Sequence, residues 1–397
     1  MKHVLSLSTL YPNAVKPRFG TFVARSLEGL AKLGAKTGDW RVSVVNPIGL
    51  PPVAFGRYRA LSELEPVTQE GGLTVYRPPF TLIPKIGARR NAGAIAKAVL
   101  PVIEQIHSDQ PIDVIDAQFF FPDGPAAAML AQQLGLPLSI KARGSDISLW
   151  GKQDFAREQM LEASEHASGL LAVSEALKRD MIALGMQAEK IGVHYTGLDR
   201  DRFRPLGHTQ LRTQLGQQLG FDMPAGAPLL TCVGALIERK GQDIAISALP
   251  SLPEARLVLV GKGDDKARLE SLARDLGVAD RVHFAGSLDH DVMPLILSAA
   301  DAMVLPTVSE GLANAWVESI ACGTPVITTD VGGARELINN DIAGRLIERT
   351  PEAVVEAVDS LLASPPRPDA VAASAERFSW NNHDEVLAAY FERLVSG

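Results

Sequence analysis

Two glutamates eight positions apart, Glu310 and Glu318, bracket a Gly-Leu-Ala-Asn run in PTVSEGLANAWVE, residues 306–318. The short apolar stretch Ala302–Leu305 precedes them, and CGTPVITT follows as helix end, turn and new strand. This order predicts Glu310 on a loop before a helix and Glu318 about two turns inside it. The amides of Gly311, Leu312 and Ala313 would then stand at the positive end of that helix, a seat for a phosphate or a sugar hydroxyl. Two acceptor carboxylates beside such a seat suit a ligand carrying both hydroxyls and phosphates, and a nucleotide sugar is one. The plainer reading, an exposed loop residue and a solvated helix residue, would serve for any isolated pair of glutamates.

A second group of candidates follows another predicted strand. In GALIERKGQD, residues 234–243, Arg239 and Lys240 stand where a loop turns into a helix. Departure of a nucleoside diphosphate builds negative charge on its oxygens, and fixed cations at that point stabilise the transition state. The alternative is a pair of solvated loop charges. Gly20, in TLYPNAVKPRFGTFV, opens the first helix and allows close backbone approach by a ligand or serves a simple turn. In KARGSDI, Asp146 would accept from a hydroxyl or cap a helix. VGKGDDKARLE, residues 260–270, is a strand, a Gly-x-Gly turn at Gly261 and Gly263, and a helix; without a third glycine it is a weak dinucleotide fingerprint.

The string around the two glutamates, with its flanking SEG and ACGTPVI, resembles the signature of the retaining glycosyltransferases of family 4, which have the GT-B fold. The resemblance runs across nearly the whole chain and is strongest over residues 229–340. It implies that Glu310 contacts the donor sugar and Glu318 the nucleotide ribose. It also places Gly234, Gly263 and Gly332 (of Val331–Gly333) around the donor, Gly20 beside the diphosphate, and Lys240 on the leaving group. Members usually have a Gly-Arg pair early in the 234–243 loop. This chain has Ala235 there, so Arg239 is the candidate for the second positive charge. Many members have a His where Gln118 stands; Gln can donate a hydrogen bond to a sugar but cannot act as acid or base. Arg143 and Asp146 match the family's RGSD-type loop on the acceptor side. YTGLDRDRFRP at 195–205 resembles the domain-exit segment, with Thr196 where Asn is common.

These residues need a scaffold, and the rest of the sequence supplies its outline. Short β-rich runs alternate with helical stretches throughout, the pattern of parallel α/β sheets. Strands are expected at 4–8, 42–45, 114–117, 138–141, 169–173 and 191–195, then at 229–233, 256–260, 282–285, 302–305 and 325–328. The fold class is therefore α/β, as two doubly wound Rossmann-like domains facing each other across a cleft. The domain reading is 1–205 for the acceptor, 206–228 as linker and 229–378 for the nucleotide sugar. A final helix at 379–397 is one that, in the family, commonly crosses back to the first domain.

At 397 residues two domains are the better expectation, and 46% hydrophobic with 21% charged residues is ordinary for a globular enzyme. Residues 1–205 carry a net +4 and the remainder −11. The acidic half argues against general nucleic-acid binding, and the mildly basic half is compatible with a phosphate-bearing or lipid-linked acceptor. No apolar run reaches the roughly 18 residues that span a bilayer, and the first residues read as a strand instead of a signal peptide. Cys232 and Cys322 are expected as buried free thiols. A cytoplasmic protein fits all of this. Residues 79–106 combine apolar residues with Lys85, Arg89, Arg90 and Lys97, compatible with the inner membrane surface but better read as a loop and a packed helix. Asp289–His290–Asp291 has the look of a metal motif at a helix start, where capping is the simpler explanation. No catalytic metal and no cofactor beyond the substrate are expected.

The expected activity is transfer of a hexose-type sugar from a nucleoside diphosphate to an acceptor hydroxyl, as in envelope or exopolysaccharide assembly. No carboxylate pair flanking a glycosidic bond points to hydrolysis. Two alternatives stand beside it: a nucleotide-sugar epimerase on the same scaffold, and a non-catalytic nucleotide-sugar-binding protein. An NAD-dependent oxidoreductase ranks below both.

Overall fold

Continuous apolar runs such as Leu257–Val260 and Ala302–Leu305, with no polar alternation, suit strands buried on both faces, which a parallel sheet covered by helices requires. In the computed structural model these runs form two sheets, one in each of two units: residues 1–197 with 380–397, and residues 198–379. The structure describes residues 1–396 except Arg18, Ala54, 84–86, Ala225 and His290.

The first unit contains β1 (Lys2–Leu7), β2 (Trp40–Val45), β3 (Ile48–Leu50), β4 (Val67–Glu70), β5 (Leu73–Tyr76), β6 (Pro79–Thr81), β7 (Val114–Ala117), β8 (Leu138–Ala142), β9 (Gly169–Ala172) and β10 (Ile191–Val193). Eight of them form one sheet in the order β10-β9-β8-β7-β1-β2-β5-β4, parallel except for the β4–β5 hairpin at its edge. β3 and β6 pair separately. The order reverses between β7 and β1, so Gln118 and the loop after β1 leave the sheet side by side; the Gln118 amide donates to the Leu7 carbonyl at 3.1 Å.

The second unit contains β11 (Leu229–Val233), β12 (Arg256–Val260), β13 (Val282–Gly286), β14 (Ala302–Leu305), β15 (Val326–Thr329) and β16 (Gly344–Ile347). Its sheet runs β13-β12-β11-β14-β15-β16, parallel throughout. Here the order reverses between β11 and β14, which brings the loops carrying Lys240 and Glu310 together.

Two boundaries differ from the sequence reading. The segment read as a linker, 206–228, carries a helix, His208–Leu219, in the second unit. Its inward face includes Arg212, which donates to the carbonyls of Ala299 and Ala227 and pairs with Asp301 at 2.6 Å. A buried arginine in place of an apolar residue interrupts the periodicity that would have marked the helix. The chain passes to the second unit at Leu198, not 205, because Leu198 and Phe203 are buried there. The last helix, Trp380–Ser396, belongs to the first unit, where Leu387, Tyr390 and Phe391 join the core beside Leu27, Leu30 and Trp40. In the 79–106 segment, the helix Asn91–Asp109 buries Ile95, Val99, Ile103 and Ile106, so its apolar stripe is occupied by the core. Lys85 lies outside the described residues.

Candidate active site

After β11 the chain makes an open loop and a short turn, Glu238–Lys240, before the helix Gln242–Ala248. Gly241 between them is left-handed, and a Cβ there would lie 2.3 Å from the Pro306 carbonyl oxygen. That contact presses the β11 loop onto the β14 loop. The consequence is an ion pair between Lys240 Nζ and Glu310 Oε1, each side chain only 12% exposed. Arg239 approaches the same oxygen at 3.3 Å and donates to the Ser309 carbonyl at 2.6 Å, but remains half exposed. Thr307, buried and not anticipated from sequence, donates from Oγ1 to the Arg239 carbonyl at 3.1 Å and lies 3.4 Å from Glu310 Oε1. Arg349 ties the two loops from outside, donating to the carbonyls of Pro306 and Glu238. Neither contact leaves a sequence signal, since both depend on loops distant in the chain.

The helix after Glu310 begins at Asn314, because Ala313 is still extended. Glu318 is therefore its fifth residue, little more than one turn in, not two. Among the described residues the amides of Gly311, Leu312 and Ala313 donate no hydrogen bond. Unspent donors at the start of a helix, next to two cations, are suited to receiving an anion.

Two of the glycines predicted around the donor, Gly332 and Gly263, fit close backbone contact. A Cβ on Gly332, whose φ is +52°, would sit 1.8 Å from the Glu310 carbonyl oxygen, and the Gly333 amide donates to Gly311 O at 2.6 Å. The turn after β15 thus supports the Glu310 loop directly. Gly263 packs on the Leu236 carbonyl in the same way, with 2.1 Å to an added Cβ, so it shapes the β11 loop. Gly234 lies under the Lys240 stem, where an added Cβ would be 3.7 Å from Cδ and Cε.

In the first unit, Gln118 is buried with both ends of its amide engaged, donating to Asp116 and accepting from Arg143. Arg143 also donates from Nε to the Gln118 carbonyl, and its remaining nitrogen, Nη1, is buried with no partner among the described residues. Burial pushes Asp116 above the usual carboxylate range and Arg143 down to about 10. Asp146 is a correction to the expected acceptor contact. It is wholly buried and accepts from the amides of Phe120, Arg143, Gly144 and Ile147, so it clamps the loop and has no face for a substrate. Gly20 is left-handed, and its Cβ would meet the Leu10 carbonyl at 2.5 Å, which accounts for glycine there without a ligand.

Asp289 and Asp291 do not cap the next helix, which starts at Met293 after Val292; Asp291 pairs with Arg202 at 3.3 Å. His290 lies outside the described residues. Among those residues no group of three His, Cys, Asp or Glu is placed to hold a metal ion, and no helix is long and apolar enough to cross a membrane. Both cysteines are buried and unpaired.

This fold has close counterparts among solved structures. Sucrose-phosphate synthase from Thermosynechococcus elongatus superposes with a TM-score of 0.79 over all of both chains at 19% identity. Anabaena HepE in complex with UDP gives 0.74 over 99% of this chain and all of that one at 22% identity. These define the architecture as GT-B. In sequence, residues 221–378 match the model "Glycosyl transferases group 1" and residues 21–202 match "Glycosyltransferase Family 4". The chain belongs to this glycosyltransferase family. Among relatives, the putative teichuronic acid biosynthesis glycosyltransferase TuaC of Bacillus subtilis is 28% identical over 89% of this chain and 88% of its own length. A GDP-mannose-dependent phosphatidylinositol monomannoside mannosyltransferase of Mycolicibacterium smegmatis is 33% identical over 51% of this chain. That match spans only 55% of the relative.

Proposed function

We propose that this glycosyltransferase binds a nucleoside-diphosphate sugar in the second unit and passes the sugar, with retention, to an acceptor hydroxyl. The convergence of Lys240 and Arg239 on Glu310, beside the unspent amides of 311–313, carries the reading. Lys240 and those amides would receive the diphosphate, and charge-assisted hydrogen bonds of this kind are about twice as strong as neutral ones. As the bond from the sugar to the diphosphate breaks, negative charge grows on the phosphate oxygens where these donors already point. Glu310, held in place by its two cations, would orient the sugar hydroxyls, and Glu318 the ribose. With Asp146 filled by amides and Gln118 unable to exchange a proton, neither of these first-unit residues can act as base. The departing phosphate oxygen is the available proton acceptor, consistent with attack from the leaving-group face. Arg143 Nη1 remains a donor for a sugar or acceptor oxygen.

HepE is described in complex with UDP and with UDP-glucose, and the mannosyltransferase relative as GDP-mannose-dependent. The base in this chain is therefore open to measurement. Thermal unfolding with UDP, GDP, ADP, dTDP and NAD, on wild type and Glu318→Ala, tests the site. Stabilisation by one nucleoside diphosphate, lost in the variant, supports it and names the donor class; a shift with NAD alone refutes it.

A further inference from the structure

Asp116 on β7 is wholly buried at the middle of the first unit's sheet. Ser6 of β1 and Ser139 of β8 stand in register on either side of it, so all three side chains share one face. Both hydroxyls donate to its carboxylate, Ser6 at 3.3 Å and Ser139 at 2.9 Å. Around this polar rank the face carries core residues such as Val4, Val114 and Leu171. Taking a carboxylate from water into such surroundings costs stability that an apolar side chain in the same place would not. Lys141, on the same face, does not account for it, since Lys141 Nζ turns to His194 Nδ1 at 2.6 Å. The fold alone does not call for an acid here.

What the acid holds is Gln118. A guanidinium only donates, so Gln118 can bond Arg143 only through Oε1, and its NH2 must then find an acceptor on the other side. Asp116 is that acceptor. Arg143 is gripped in turn: Nη2 donates to Gln118 Oε1, Nε donates to the Gln118 carbonyl at 3.2 Å, and Cζ lies 5.1 Å from the centre of the Phe22 ring. Only Nη1 is left, buried and without a partner among the described residues. Turning the Gln118 amide over would set its NH2 against the guanidinium, donor to donor, and release that aim.

We propose that Asp116 is a positioning residue for the transfer reaction. It locks the Gln118 amide in the one orientation that holds Arg143, and so keeps Nη1 directed at a substrate oxygen. The role needs an oxygen at this place and no proton transfer. The inference rests on the reading that Arg143 Nη1 meets the sugar or the acceptor, and it adds the residue that keeps it there.

Substitutions at Asp116 test this, with two readouts. One is the Arg143 Nε–H nuclear magnetic resonance signal, assigned by its loss in Arg143→Lys. The other is labelled sugar passed from the nucleotide sugar whose diphosphate stabilises the protein into a heat-treated extract of the source cells. Asp116→Leu keeps a branched side chain and leaves the Gln118 amide without its acceptor. Hydrogen exchange at Arg143 Nε is expected to quicken about tenfold or more. Transfer at saturating donor is expected to fall about 10- to 150-fold, the contribution of one hydrogen bond to a charged group. The nucleoside-diphosphate affinity, read in the second unit, should not change. Asp116→Asn restores an oxygen for Gln118, with its own amide nitrogen turned to Ser139, and is expected to recover both readouts to within about threefold of wild type. Ser43→Ala removes a buried hydrogen bond to His3, 2.8 Å long in the same sheet, and controls for lost stability alone; neither readout should move. Should Asp116→Leu not fold, Asp116→Ser, which stops short of Gln118, takes its place. A wild-type signal or a wild-type rate in that variant overturns the proposal. So does an Asp116→Asn that behaves like Asp116→Leu, since the charge and not the oxygen would then matter. If wild type itself transfers nothing, the glycosyltransferase reading fails, and the Arg143 signal still decides whether Asp116 holds Arg143.

Discussion

Replacing Lys240 by Met keeps the apolar stem that lies along Gly234 and removes the charge that pairs with Glu310. Two effects separate in magnitude. Glu310 keeps Arg239 at 3.3 Å and the Thr307 hydroxyl at 3.4 Å, so its carboxylate is not stranded. The stability loss is then expected near 1–2 kcal/mol, below the roughly 3–5 kcal/mol for breaking a wholly buried pair. Binding should suffer more clearly. A hydrogen bond to a charged group contributes about 1.5–3 kcal/mol, so the affinity for the stabilising nucleoside diphosphate should fall about 10- to 150-fold. Catalysis should fall further, by roughly 10²–10³ in kcat, because the lost cation faces charge that grows in the transition state. Arg239→Met, at a side chain 47% exposed, is the internal control, with an expected loss of stability under about 1 kcal/mol. Titration calorimetry gives the Kd and initial rates of donor consumption give kcat/KM. If both stay within about threefold of wild type in Lys240→Met, a range worth under about 0.7 kcal/mol, Lys240 does not hold the leaving group.

Gly332→Ala forces a left-handed side chain, which costs about 1–2 kcal/mol, and drives Cβ into the Glu310 carbonyl. A melting temperature lowered by a few degrees with weakened nucleoside-diphosphate binding is expected; an unchanged Kd would mean the 332–333 turn does not position Glu310. Asp123 is buried on Thr9, and burial raises its carboxyl from 3.8 to about 7. Between those values the native chain keeps a proton that the unfolded chain has released, so stability should fall as pH rises from about 4 to about 7. Urea unfolding across that range should show a shallower decline in Asp123→Asn, though Asp384, also raised to about 7, keeps part of the slope. An identical slope in the variant would contradict the burial argument. Burial also pushes Cys232 and Cys322 up to about 12, so a thiol reagent at neutral pH should label neither in the native protein and both after denaturation.

The sequence by itself carried the parallel α/β pattern, because strands buried on both faces tend to be continuously apolar, as at Leu257–Val260 of β12 and at β14. All eleven expected strands are present, within a residue or two at their ends. β3 to β6 and β16, each three or four residues long, were not anticipated. Glu310 and Lys240 were legible as candidates because that choice depends on residue type within two short loops. Their convergence was not, since it follows from β11 and β14 being neighbours where the strand order reverses. Asp146 shows the limit of residue type most plainly. A carboxylate after a strand suits a ligand or a loop equally well, and only its four amide partners decide for the loop. Asp116 is the converse case: nothing beside it in the sequence marks it, and its hydrogen bonds from Ser6 and Ser139 exist only because packing makes β1, β7 and β8 neighbours.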